Sequence, residues 1–137
     1  MLSVKPYFFY GTLRDEAVLE AVIGRAAPMV PARIVAHRAA PVTGAVYPVL
    51  VPDPGAVTNG VLVAGLDAAE ARRLVEYEGP GYRLALLPVE DADGKTVQAR
   101  LFLPVGQIAH ESSVWSFAEW QQRDRARWLS RLGGRRP

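Results

Sequence analysis

The chain has 137 residues, half of them apolar, a net charge of +2 and no cysteine. That length suits one domain over residues 1–137, large enough to bury roughly two-thirds of the surface its unfolded form exposes, and the missing cysteines exclude disulfides, thiolate metal sites and a cysteine nucleophile. The basic balance is local: residues 121–137 hold six arginines against one aspartate, which leaves residues 1–120 mildly acidic and argues for a solvated helix face with a loose tail rather than a nucleic-acid surface.

In chain order, "MLSVKPYFF" lacks the cationic lead and apolar run of a secretory signal. No apolar run approaches the ~18 residues of a membrane span, so a cytoplasmic protein without a membrane partner is expected. Tyr7–Tyr10 reads as a short aromatic strand. Thr12 with Asp15 three residues on has the form of a capping box and predicts a helix start there, with Val18, Leu19, Val22 and Ile23 as its apolar stripe and Gly24 as its stop. Residues 29–38 alternate as a strand whose start Pro31 bends or places at an edge. "GAVYPVLVPDPG" reads as a short strand broken into a loop by prolines, and "TNGVLVAGL" as a further strand.

Asp67 and Glu70 form a second capping box, opening a helix that "GPG" at 79–81 ends near Glu78. "YRLALLPVED" and "TVQARLFLPV" are two strands joined through Asp93-Gly94, a strong hairpin signal. Ser116 and Glu119 form a third capping box, opening a helix to about Leu132 with Trp120, Trp128, Leu129 and Leu132 inward and a loose basic tail over 133–137. Several strands, a close hairpin and scattered helices predict an α+β domain around a small, largely antiparallel sheet or barrel.

One carboxylate sits where a core residue belongs. Ala71, Leu74 and Val75 make the i, i+3, i+4 stripe of a buried helix face, and the next member at i+7 is Glu78. In a last helical turn, burial and the negative end of the helix dipole both raise a carboxyl pKa. Such a group serves as a general base and acid. The pattern leaves a structural alternative open, with Glu78 turned to solvent or paired with Arg83 or Arg100. Other chemistries lack support. His37 and His110 have no second metal ligand at helical spacing, and the chain contains no Gly-x-Ser-x-Gly elbow and no glycine-rich phosphate loop.

Three blocks carry a resemblance. "FFYGTLR" (8–14), "VYPVLVPDPGAVTNGVLVAGL" (46–66) and "LVEYEGPGYRLALLPV" (74–89) resemble, in order and spacing, the γ-glutamylcyclotransferase-like superfamily, above all its γ-glutamylamine cyclotransferase and plant avirulence-induced branches. The resemblance covers about residues 6–104. It implies a small mixed β-barrel with flanking helices and an enzyme that cyclises a γ-glutamyl group to 5-oxoproline with release of an amine. It implies Glu78 as the acid/base, no metal or organic cofactor, and a γ-glutamyl small molecule as partner. By the same analogy the backbone of Tyr10, Gly11, Thr12 and Leu13 grips the γ-glutamyl group at a helix start, a place that suits an anion. Tyr82 contacts substrate or Glu78, and Tyr47 either lines the cavity or is an ordinary strand tyrosine. Phe102 stands where relatives often carry a tyrosine, so a substrate contact through that hydroxyl is lost here. Two alternatives remain: a small-molecule binding module on the same fold without turnover, and a weaker one, a nucleic-acid or partner-binding protein using the arginine-rich last helix.

Overall fold

The computed structural model describes residues 5–134. Residues 1–4, on which the expectation about a leader partly rested, and 135–137, most of the expected loose tail, lie outside the described residues. Five strands close into a barrel: β1 (Tyr7–Phe9), β2 (Val30–Pro41), β3 (Pro48–Val63), β4 (Tyr82–Asp91) and β5 (Thr96–Pro104), in the order β1-β3-β2-β4-β5. Every neighbouring pair is antiparallel except β1–β5, which is parallel and closes the ring at Tyr7↔Arg100. The α+β barrel expected from the sequence is thus present. The helices are α1 (Glu16–Ile23), α2 (Ala68–Glu78), α3 (Phe117–Arg123) and α4 (Arg125–Gly134). None is long and apolar enough to cross a membrane.

The four aromatics that open the chain explain the layering. Successive side chains of a strand point to opposite faces. Phe8 and Tyr10 enter the barrel interior with Ile34, Leu50, Val89 and Leu101, whereas Tyr7 and Phe9 face a second core that α1, α2 and α3 complete through Leu19, Leu74 and Trp120. β1 is therefore a wall shared by two cores, which is why a three-residue strand is so rich in large apolar rings. Gly60, across from it on β3, is required by that crowding. A Cβ there would stand 2.4 Å from the Phe9 carbonyl oxygen and 2.7 Å from the Phe8 ring.

Three expectations are corrected. The prolines do not break β3, which runs unbroken through Pro52, Asp53, Pro54 and Gly55. Pro52 and Pro54 are two residues apart, so both missing N–H groups fall on one edge of the strand. Of this stretch only Pro52 has a ladder partner, His37 of β2, and residues 53–56 have none, so Pro54 removes no ladder bond. β3 itself carries the irregularity as a bulge: between the pairs His37↔Pro52 and Val35↔Val57, residues 53–56 of β3 stand opposite the single residue Ala36 of β2, which lies at φ 61°.

The first helix does not start at Thr12. Residues Thr12–Arg14 form a single 3₁₀ turn. Asp15 is the cap of α1, its side chain accepting from Ala17 N and Val18 N, because the Thr12 side chain is occupied elsewhere. The last helix is two: the chain turns at Asp124 (φ −120°, ψ −20°), and α4 continues to Gly134, so the start of the expected loose tail is helical. Within that pair Trp120 is buried, while Trp128, Leu129 and Leu132 are half-buried and pack on the same core.

The remaining local signals agree with the structure. Asp67 and Glu70 exchange both capping-box bonds, at 2.8 and 3.0 Å. The β4–β5 hairpin turns at Gly94 (φ 79°), where Asp91 Oδ1 accepts from both Asp93 N and Lys95 N. Ser116 accepts from Glu119 N to open α3.

Candidate active site

Where β1 leaves the barrel, the chain turns at Gly11 and lies against Pro48, the first residue of β3. A Cβ on Gly11 would meet Pro48 Cγ at 3.2 Å and Cδ at 3.3 Å. The loop, the end of α2, the start of β4 and α4 enclose a cavity of about 180 Å³. All seven residues singled out in the sequence line it: Tyr10, Gly11, Thr12, Leu13, Tyr47, Glu78 and Tyr82.

Glu78 is the last residue of α2. Gly79 follows at φ 83°, a conformation that favours glycine, and its N–H closes the helix on Val75 O at 3.0 Å. The expected stripe is rotated slightly. Leu74 is fully buried, but Val75 is 49% exposed, and Tyr77 packs against the core in its place. Glu78, next to Tyr77, is half-buried at the cavity wall. Burial pushes its carboxyl up to about 7. Among the described residues neither Arg83 nor Arg100 forms an ion pair with it; the Arg100 guanidinium lies over the Tyr7 ring at 6.0 Å. Among the described residues no Lys, Arg or His lines the cavity. Among those residues Glu78 is the one carboxylate.

The tyrosines divide the remaining work. The Tyr10 hydroxyl donates to the Phe102 carbonyl at 2.6 Å and is buried. Burial first, then the nearby charge of Glu78, raises its pKa well above the usual phenol value. It is a structural neighbour of the carboxylate and stays protonated. Tyr82 donates to Pro48 O at a long 3.5 Å, and its pKa is raised by burial, then by Glu78 and Tyr47. Tyr47 is 37% exposed, in the loop before β3 rather than within a strand, and sits at the mouth, edge-on to Trp128 at 6.0 Å. Phe102 is buried, contributes ring and carbonyl, and has no hydroxyl to offer.

Thr12 and Leu13 open the 3₁₀ turn, whose first bond is Arg14 N to Gly11 O at 3.1 Å. Their own N–H groups precede it and have no acceptor within the turn. The α-helix proper starts three residues after Leu13, and its terminus is already neutralised by Asp15. The full helix dipole expected behind this loop is therefore absent, and any grip on an anion there comes from the individual N–H groups.

Two cavity residues escaped the sequence reading. Tyr77 shares a 2.6 Å hydrogen bond with Thr12 Oγ1 and accepts one from Trp128 Nε1 at 2.8 Å. Tyr77 could have been found by carrying the apolar stripe from Leu74 to i+3. Trp128 carries no such signal, because the contact that matters is 51 residues away in sequence.

Comparison with known proteins decides the family. The family model described as gamma-glutamyl cyclotransferase, AIG2-like, matches residues 7–122. The chain belongs to this family. Among curated AIG2-like relatives, AIG2-like protein C of Arabidopsis thaliana is 27% identical over 130 residues, covering 86% of this chain and 70% of its own. Protein AIG2 C of the same plant is 26% identical over 116 residues, covering 83% and 70%. The AIG2-like barrel also recurs in solved structures. One Arabidopsis thaliana protein superposes with a TM-score of 0.71 at 21% identity, covering 98% of this chain and 84% of that one. A structure titled gamma-glutamyl cyclotransferase gives 0.66 at 18% identity, covering 97% and 88%. At such identities the superpositions establish the fold alone.

Proposed function

We propose that this member of the family is a γ-glutamyl cyclotransferase, releasing 5-oxoproline and an amine from a γ-glutamyl substrate. The observation that carries the reading is Glu78: a carboxyl facing a cavity with no cationic side chain among its described lining residues, with a pKa raised to about 7 by burial, beside a loop with unspent backbone donors. The α-amine of the substrate enters as an ammonium, whose ordinary pKa is roughly 8. A carboxylate near 7 is far better matched to that proton than one near 4.

Glu78 takes the proton, and the freed nitrogen attacks the γ-carbonyl carbon of the same molecule. A ring C–N bond forms and the carbonyl oxygen becomes an oxyanion. Thr12 N–H and Leu13 N–H are the donors offered to the oxyanion or to the substrate carboxylate. When the oxyanion collapses, the bond from the γ-carbon to the leaving nitrogen breaks and protonated Glu78 gives its proton to that nitrogen; the carboxylate so regenerated takes the second proton from the positively charged ring nitrogen and passes it to the departing amine, so that a neutral lactam and an ammonium are released. Both reacting groups belong to one substrate, so the main task of the site is to select the folded conformer.

The test is 5-oxoproline release from a panel of γ-glutamyl amines and dipeptides, run beside Glu78→Gln. The native protein is expected to release product, and the variant to lose about 10²–10⁴-fold. Equal rates would overturn the role of Glu78, and saturable binding without product would favour a binding module. The arginine-rich alternative is weakened by ion pairs of Arg125 with Asp15 and Arg123 with Glu119, which occupy two of the arginines it would use.

A further inference from the structure

Two hydrogen bonds tie α4 to the loop after β1. Trp128 Nε1 donates to the Tyr77 hydroxyl, and Tyr77 in turn is bonded to Thr12 Oγ1. An indole N–H can only donate. The Tyr77 oxygen is thus an acceptor towards Trp128, and the bond between Tyr77 and Thr12 can be donated by either hydroxyl. In the arrangement with the phenol donating, the Thr12 hydroxyl hydrogen is left to turn into the cavity that all three residues line. Trp128 also forms one side of the mouth, because its ring meets Tyr47, the one exposed residue among those lining the cavity. The indole is held from below. Arg125, one turn earlier on α4, donates to buried Asp15 at 2.5 Å, and Gln121 of α3 donates to the same oxygen at 3.1 Å.

Building on the cyclotransferase reading, we propose that Trp128 is a positioning and specificity residue. Its N–H sets the Tyr77–Thr12 pair so that the Thr12 hydroxyl donates to an oxygen of the γ-glutamyl group, and its ring bounds the space open to the leaving amine. The two roles separate by substitution. Trp128→Phe keeps a ring and removes the donor; Tyr77→Phe removes the hydroxyl; Trp128→Ala opens the wall.

The experiment measures kcat and KM on γ-glutamyl methylamide and γ-glutamyl naphthylamide, together with 5-oxoproline affinity by calorimetry, for the native protein and each variant. Thermal melts define the folded fraction. Trp128→Phe and Tyr77→Phe are each expected to lower kcat/KM on the methylamide and weaken 5-oxoproline binding by about 3–15-fold, the range of one hydrogen bond. The double variant should be little worse than the poorer single one, because both interrupt the same chain. Trp128→Ala should shift the kcat/KM ratio towards the naphthylamide by about tenfold or more.

A purely structural role would lower the melting temperature and leave the KM and 5-oxoproline affinity of the folded protein unmoved. That outcome overturns the positioning role, and an unchanged substrate ratio in Trp128→Ala overturns the specificity role. A native protein that neither releases nor binds 5-oxoproline overturns the cyclotransferase reading itself, a result visible before any variant is compared.

Discussion

Glu78 costs the protein stability at the pH where the proposed chemistry needs it ionised. Its pKa is raised in the folded state from the ordinary 4.5 to about 7, so the native protein binds more protons than the unfolded chain between those values. Stability therefore falls as the pH rises through that window, and the contribution of the protonated form is complete only below it. Removing the ionisable group should relieve the penalty. Glu78→Gln is expected to melt higher than the native protein at pH 8, by the equivalent of about 1–3 kcal/mol once partial exposure is allowed for, and to show no such gain near pH 4. Melting curves at the two pH values decide it. Turnover, on the proposed reading, should rise with pH through about 7 for the native protein, as expected of a base that must lose its proton.

Gly60 shows a different constraint at the same scale. Its Cβ position is already filled by the Phe9 carbonyl and the Phe8 ring. Gly60→Ala should destabilise by about 1–3 kcal/mol or more through forced displacement of β1, whereas Gly55→Ala, with nothing within 4 Å, should be far milder. Urea denaturation of the two variants is the comparison.

Among the elements, those whose determinants are local were readable from sequence. The Asp67–Glu70 box, the Asp93-Gly94 turn and the stop at Gly79 each require only three or four neighbouring residues. β3 was not readable in full, because Pro54 falls in a stretch that bulges out of the ladder, and the strand resumes beyond it only through pairing with β2 and β1. The start of α1 was misplaced for a similar reason. Thr12 has the right chemistry for a cap, but its hydroxyl is taken by Tyr77, 65 residues away, and Asp15 caps instead.

Asp15 also joins elements, since one oxygen caps α1 while the other receives Arg125 and Gln121. Burial alone would raise its pKa, but the bonds from Arg125, Gln121 and Val18 outweigh that and hold it below the usual value. A depressed carboxyl stabilises above the unfolded value of ~3.9, and that support is lost as the pH falls further through the folded value. Asp15→Ala should cost about 2–4 kcal/mol by removing a cap and stranding a charged partner. The tryptophans of α3 and α4 are expected to report this as a fluorescence change that precedes loss of strand signal on acidification below about pH 4.

At the scale of the molecule, the barrel and the seven candidate site residues were legible because the motif-bearing blocks lie at strand ends and at one helix end. The cavity wall was not. Tyr77 lay one step from a residue already singled out, while Trp128 looked like any other core tryptophan until α4 was seen folded back over the loop. The pairing of the barrel has the same long reach, with β1 bonded to β3 and β5 and β2 bonded to β4. Such non-local contacts slow folding, because distant segments must meet before any contact offsets the loss of chain freedom.

That reach bears on when the site can exist. The Asp15–Arg125 contact joins residues 110 apart, and Trp128 comes three residues later still. A nascent chain emerging from the ribosome presents Tyr10–Leu13 first and Glu78 midway, yet the cavity lacks its last wall until α4 has cleared the exit tunnel. Synthesis arrested before that point leaves the Glu78 carboxyl in an open trough that water can enter. On the proposed cyclotransferase reading, an arrest-length series with the product assay would show activity switching on over α4 rather than accumulating along the chain.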